Sequence, residues 1–331
     1  MSVAATLLAV LLALAPAAAS AARPAMLGGA APLVLVRTIP LRGVRGRIDH
    51  LAIDLAHGRL FVSELGNGSV EAIDLATGAS LGRIGGLKEP QGLAFLPALH
   101  ELAVASGGDG SVRFYRAGDL APAGEVAVGG DADDLTTDAA GRLVVGYGSG
   151  AIAAIDPVSR KVVGKLDLPA HPEGFRLAGA RVFVNLPGAD RIVVGDLPRG
   201  RILASWPTAH RWNFPMALGA AAGTLAVAFR RPARFELLDA ASGAIKLDEP
   251  TCGDADDLFF DRARDRFYVV CGAGAVDVVD PMRPARSVAV ATRPGARTGL
   301  FVPALDRLFV AARAGARGAA ILVYRPRARL R

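Results

Sequence analysis

One short apolar strand, followed at once by a second, returns seven times along the chain, and that period leaves few folds open. The aligned residues of the first strand are Leu51 (DHLAID), Leu93 (QGLAFL), Leu135 (DDLTTD), Phe175 (EGFRLA), Met216 (FPMALG), Leu258 (DDLFFD) and Leu300 (TGLFVP). Their intervals are 42, 42, 40, 41, 42 and 42 residues. The second strands keep step: RLFVSE from Arg59, ELAVAS from Glu101, RLVVGY from Arg142, RVFVNL from Arg181, TLAVAF from Thr224, RFYVVC from Arg266 and RLFVAA from Arg307. A third strand follows each, often ending in Asp, as in EAIDLATG, AAIDPVSR and ELLDAASG. These runs are rich in Val, Ile, Phe and Ala and bounded by Gly, Asp or Pro. None carries the i, i+3, i+4, i+7 pattern of an amphipathic helix for three turns. The chain reads as all-β.

Four short antiparallel strands every 40–45 residues is the period of a β-propeller blade. One such unit cannot bury both of its faces, so blades must stack around an axis. The seventh unit lacks a fourth strand after Tyr324, while an orphan strand, LVLVRT at 33–38, precedes the first unit. The orphan is expected to supply the missing outer strand and close the ring, removing an edge that would template aggregation. The expected fold is a seven-bladed propeller over residues 33–325, preceded by a linker at 22–32 and followed by a basic tail at 326–331.

Composition agrees. With 52% hydrophobic and 21% charged residues, the 331-residue chain is no candidate for disorder. Its net charge of +7 invites an anionic partner, but Lys occurs only at 88, 161, 165 and 246, and no run of five like charges is present. We read a solvated, Arg-based surface, a monomer, and no nucleic-acid partner. Residues 3–15 form an apolar stretch of thirteen, too short for the roughly 20 residues that span a bilayer. Pro16 and the small residues Ala19, Ser20 and Ala21 follow it, which fits a signal peptide at 1–21 cleaved near Ala21. The expected location is periplasmic or secreted, with no membrane span in the mature chain.

Units such as IDHLAIDLAHGRLFVSELGNGSVEAIDLATG resemble the YVTN-type, YncE-like bacterial seven-bladed propeller proteins. Their repeat pairs a G-x-L-[FY]-V strand with a V-x-[VA]-I-D-x-x-[TS]-G strand, and the resemblance runs through all seven units. A literal Tyr-Val-Thr-Asn is missing; Phe61-Val62-Ser63-Glu64 and Phe183-Val184-Asn185 stand in its place. The resemblance implies the fold and an exported protein without an assigned reaction.

Chemistry is expected at one mouth of the channel, where the turns before the innermost strands converge. Two residues before each aligned position stand Asp49, Gln91, Asp133, Glu173, Phe214, Asp256 and Thr298, and His50, Asp134 and Asp257 come next in their units. The hexapeptide GDADDL occurs at 130–135 and again at 253–258. A carboxylate ring on a basic protein suits a cation or cationic ligand, with Asp49, Asp133 and Asp256 as candidate metal ligands. The opposing reading is that such Asp residues cap their own turns. On the same face are expected His171, His210, Trp212, Asn213, Phe214, Tyr147, Arg230, Arg231 and Arg313, and aromatic and Arg residues in a concave mouth suit ligand capture. His57 and His100 lie in turns on the opposite face and read as surface residues.

No nucleophile elbow, HExxH, CxxC, EF-hand loop or CxxCH occurs. The reading favoured is therefore a non-catalytic binding or scaffold protein, with no cofactor and an unidentified protein or small-molecule ligand. The alternatives are a lactone hydrolase or lyase using a divalent cation at the axis, and a redox subunit like the quinoprotein amine dehydrogenase propellers. Cys252, in the turn entering the sixth unit, and Cys271, ending that unit's second strand, are expected to form a disulfide in an oxidising compartment.

Overall fold

A computed structural model describes residues 31–328; the leader read at 1–21 and most of the linker lie outside the described residues. Seven four-stranded antiparallel sheets follow one another around an axis. Blade 1 holds strands Leu51–Asp54, Arg59–Glu64, Ser69–Asp74 and Ser80–Ile84 from the axis outward. Blades 2 to 6 repeat this order, and each aligned residue lies in the innermost strand of its blade. Blade 7 is completed by the N-terminal strand Leu33–Pro40, which pairs with Ala320–Pro326 from Leu33 opposite Pro326 to Pro40 opposite Ala320. The chain is a seven-bladed β-propeller. No described helix is long and apolar enough to cross a membrane.

Side chains alternate across a strand, and here both sides are buried. Leu60 and Val62 pack toward blade 7 with Phe309 and Ile321, while Phe61 between them packs toward blade 2 with Leu102 and Val104. The same split recurs around the ring, so each interface between blades has its own apolar cluster drawn from two neighbours. That is why the second strands read as continuous apolar runs instead of alternating ones. Turn capping falls to the Asp that ends the third strand. Asp74 accepts the Thr77 N–H (2.6 Å), Asp156 that of Ser159 (2.8 Å) and Asp239 that of Ser242 (3.0 Å).

Blades touch most closely near the axis. A Cβ on Gly92 would lie 2.3 Å from the Asp133 carbonyl oxygen and 2.8 Å from the Leu135 nitrogen of the next blade. Gly92→Ala is therefore expected to cost about 2 kcal/mol through overpacking. A urea midpoint equal to that of the parent would show that the blades yield freely at this contact.

Candidate functional site

The innermost strands of all seven blades wall a cavity of about 340 Å³ on the axis. In blades 1, 3 and 4 its mouth is set by strand pairing that continues past the innermost strand. The N–H groups of Asp49, Asp133 and Glu173 donate to the carbonyls of Ser63 (2.8 Å), Gly146 (2.9 Å) and Asn185 (3.0 Å). Those side chains project into the channel, where Asp49, His50, Asp133, Asp134, Glu173, Phe214, Asp256 and Asp257 all line the cavity. Gln91, Trp212, Arg230 and Thr298 do not, nor do Tyr147, His171, His210, Arg231 and Arg313. Gln91 is buried against Gly107, and Arg230 lies behind Phe214 with its guanidinium 3.7 Å over the ring. Trp212 is 38% exposed, with the Arg231 guanidinium 3.8 Å over its ring, and its backbone is left-handed (φ 65°).

The ring is a lattice of ion pairs rather than a cage of free carboxylates. Asp49 pairs with Arg47 at 2.9 Å and Asp256 with Arg297 at 2.8 Å and with Arg230. Asp134 faces Arg176 at 3.5 Å, and Asp133 faces His171 at 3.9 Å. Asp257 accepts the Gly299 N–H of blade 7 at 2.7 Å and lies 4.0 Å from His50. The two GDADDL segments thus brace neighbouring blades and arginines; among the described residues, Asp133, Asp134, Asp256 and Asp257 show no hydrogen bond to their own turn, which the capping alternative requires. Asp49, Asp133 and Asp256 are not brought together as one ligand set. Among the described residues, the His and carboxylate groups with ligand atoms within 4.8 Å of one another are Asp133–His171–Glu173, Asp54–His57–His100 and His210–Glu236–Asp248.

Arg47, Arg176, Arg297 and Phe259 were not singled out by the sequence reading. Two of them left a trace in the repeat: the residue after each aligned position is Ala52, Ala94, Thr136 and Ala217 in four blades but Arg176 and Phe259 in two others. Arg297 left none, because it reaches from blade 7 back to blade 6.

Charge crowding tunes the titration of the mouth. Burial works against the His50 imidazolium, but Asp49, Asp257, Asp134 and Asp133 outweigh it and raise its pKa to about 10. His171 is likewise raised to about 9, burial being overcome by Asp133 and by the Gly148 carbonyl 2.6 Å from its Nδ1. Burial pushes Asp257 up to about 7 against the pull of His50. Glu173 stands apart: no cationic nitrogen comes within ion-pair distance among the described residues, and burial with the nearby Asp133 pushes it up to about 8.

No family profile matches the chain, and no curated protein matches it in sequence. In structure it is similar to a chain of Kuenenia stuttgartiensis hydrazine synthase, with a TM-score of 0.72 at 16% identity. The match covers 85% of this chain and 98% of that one. At this identity the likeness bears on the fold alone, and it agrees with the blade count: this is a propeller scaffold with a polar channel mouth.

Proposed function

We propose that the protein is an exported, non-catalytic propeller of the YVTN type that captures a small cationic ligand at its channel mouth, between Asp133 and Glu173. The carrying observation is Glu173. It faces the cavity beside Asp133, and among the described residues it lacks the arginine partner that Asp49, Asp134 and Asp256 have. Negative charge comes into excess at this one side of the ring once Glu173 ionises. Export is supported by the apolar stretch and small-residue site at the N-terminus; the YVTN assignment rests on the repeat pattern.

The pH dependence has a definite sign. Glu173, raised to about 8, is mostly protonated at neutral pH, and a cation must expel that proton. Loss of protons from Asp257 and His171 at higher pH acts in the same direction. Choline, whose charge is fixed, should bind roughly tenfold more tightly at pH 9 than at pH 7, following the ionised fraction of Glu173. Its neutral isostere 3,3-dimethylbutan-1-ol should not bind. Glu173→Gln should remove most of the pH rise in calorimetric titration. Equal binding of the isostere, or a flat pH profile in the parent, would sink the reading.

The metal-dependent hydrolase or lyase is kept as a second reading because Asp133, His171 and Glu173 offer three ligand atoms within 4.8 Å of one another. It requires a melting temperature that rises with a divalent cation and falls back when Asp133 becomes Asn.

A further inference from the structure

We propose that Asp54, His57 and His100 form a transition-metal site at the end of the propeller opposite the channel mouth, bridging blades 1 and 2. Asp54 ends the innermost strand of blade 1, His57 lies in the turn that follows, and His100 occupies the turn just before Glu101–Ser106 in blade 2. Both imidazoles aim Nδ1 at the same carboxylate oxygen. His57 Nδ1 is 2.8 Å from Asp54 Oδ2 and His100 Nδ1 is 3.9 Å from it, with the ring centroids 4.4 Å apart. A hydrogen bond satisfies the first ring only. An ion seated among the three atoms would engage both.

The repeat shows what an Asp at this position does elsewhere. In blade 3, Asp138 takes the guanidinium of Arg142 at 2.7 Å. In blade 6, Asp261 takes Arg264 at 3.1 Å and the Tyr268 hydroxyl. Asp54 is fully buried, yet no Arg or Lys reaches it among the described residues, and its repeat-equivalent Arg59 instead donates to the Ala117 carbonyl. A buried carboxylate needs a positive partner, and among the described residues two imidazoles are the side chains placed to bring one.

His100 has φ +53°, the left-handed turn conformation that Gly58 (+61°), Gly141 (+78°), Asp265 (+49°) and Asp306 (+52°) adopt at the same position of blades 1, 3, 6 and 7. Phe95 packs edge-on against the His100 ring, with centroids 5.9 Å apart, and limits its rotation. The His57 and His100 side chains are 51% and 40% exposed, so an ion has access and water can complete the coordination. Two imidazole nitrogens with one carboxylate oxygen suit Zn²⁺, Co²⁺, Ni²⁺ or Cu²⁺ rather than Ca²⁺ or Mg²⁺.

The test is calorimetric titration of the metal-stripped protein with zinc chloride, in the parent, in His100→Gly and in His171→Ala. Glycine suits the backbone at position 100, so that variant should fold at least as well as the parent. It should bind zinc at this site roughly tenfold or more weakly, whereas His171→Ala, altered only at the channel mouth, should retain the site. A parent that takes up no zinc overturns the proposal. So does a His100→Gly variant that binds as the parent does, or zinc uptake lost in His171→Ala alone.

Discussion

A chain lacking residues 33–40 is expected to lose the cooperative unfolding of the ring and to self-associate. Strand Leu33–Pro40 is the outer edge of blade 7, and it also reaches into two interfaces: Leu33 packs between blades 6 and 7, and Ile39 between blades 7 and 1. Burying those two side chains alone contributes roughly 3–6 kcal/mol, against a typical net stability of about 5–15 kcal/mol. The deletion also strips the hydrogen-bonding edge of Ala320–Pro326, leaving a strand ready to pair with another molecule. Urea unfolding followed by circular dichroism, with the oligomeric state measured alongside, checks the expectation. A truncated protein that stays monomeric with the parent's midpoint and slope would show that the ring does not depend on this closure.

The ring was legible because its information is periodic. A single strand such as ELAVAS is ambiguous on its own, but seven in register are not, and the missing fourth strand of the last unit pointed to the strand at its beginning. The mouth was legible to the extent that it is built from one alignment column. Asp49, Asp133, Glu173 and Asp256 share that column and all line the cavity. Their partners follow no column. Arg297 crosses from blade 7 to Asp256 of blade 6, and Arg230 comes from a hairpin of blade 5. A blade-by-blade alignment does not display contacts across an interface.

Trp212 and His100 illustrate the other loss. Each has a left-handed backbone. Residue type flagged Trp212 as a cavity aromatic, but it lies outside the cavity lining under Arg231. His57 and His100 were placed correctly on the far face, yet their convergence on Asp54 depends on two turns of adjacent blades lying side by side. The repeat column marked the mouth, whereas contacts that join turns of adjacent blades are not visible in it.

Replacing Cys252 and Cys271 together with Ala is expected to lower stability by about 3 kcal/mol, the chain-entropy value for a loop of this size. The two residues are disulfide-bonded, 19 positions apart in sequence, with Cα atoms 5.8 Å from each other. The bond closes the base of the hairpin formed by Ala255–Asp261 and Arg266–Cys271. It also fixes the segment leading into that hairpin, where the Asp277 carboxylate accepts the Cys252 N–H and the Thr251 hydroxyl, both at 2.9 Å. Asp254 and Asp256 lie just beyond Cys252, and between them they hold Arg230 and Arg297. Losing the bond should thus also loosen this arginine-rich side of the mouth, while the Asp133 and Glu173 side, three and two blades away, keeps its geometry. Urea midpoints of the parent and the double variant measure the first effect, and choline titration of both measures the second. Two free thiols in the folded parent, or coincident urea midpoints, would remove the disulfide from the account of stability. A choline affinity that collapses in the double variant would show that the two sides of the mouth are coupled.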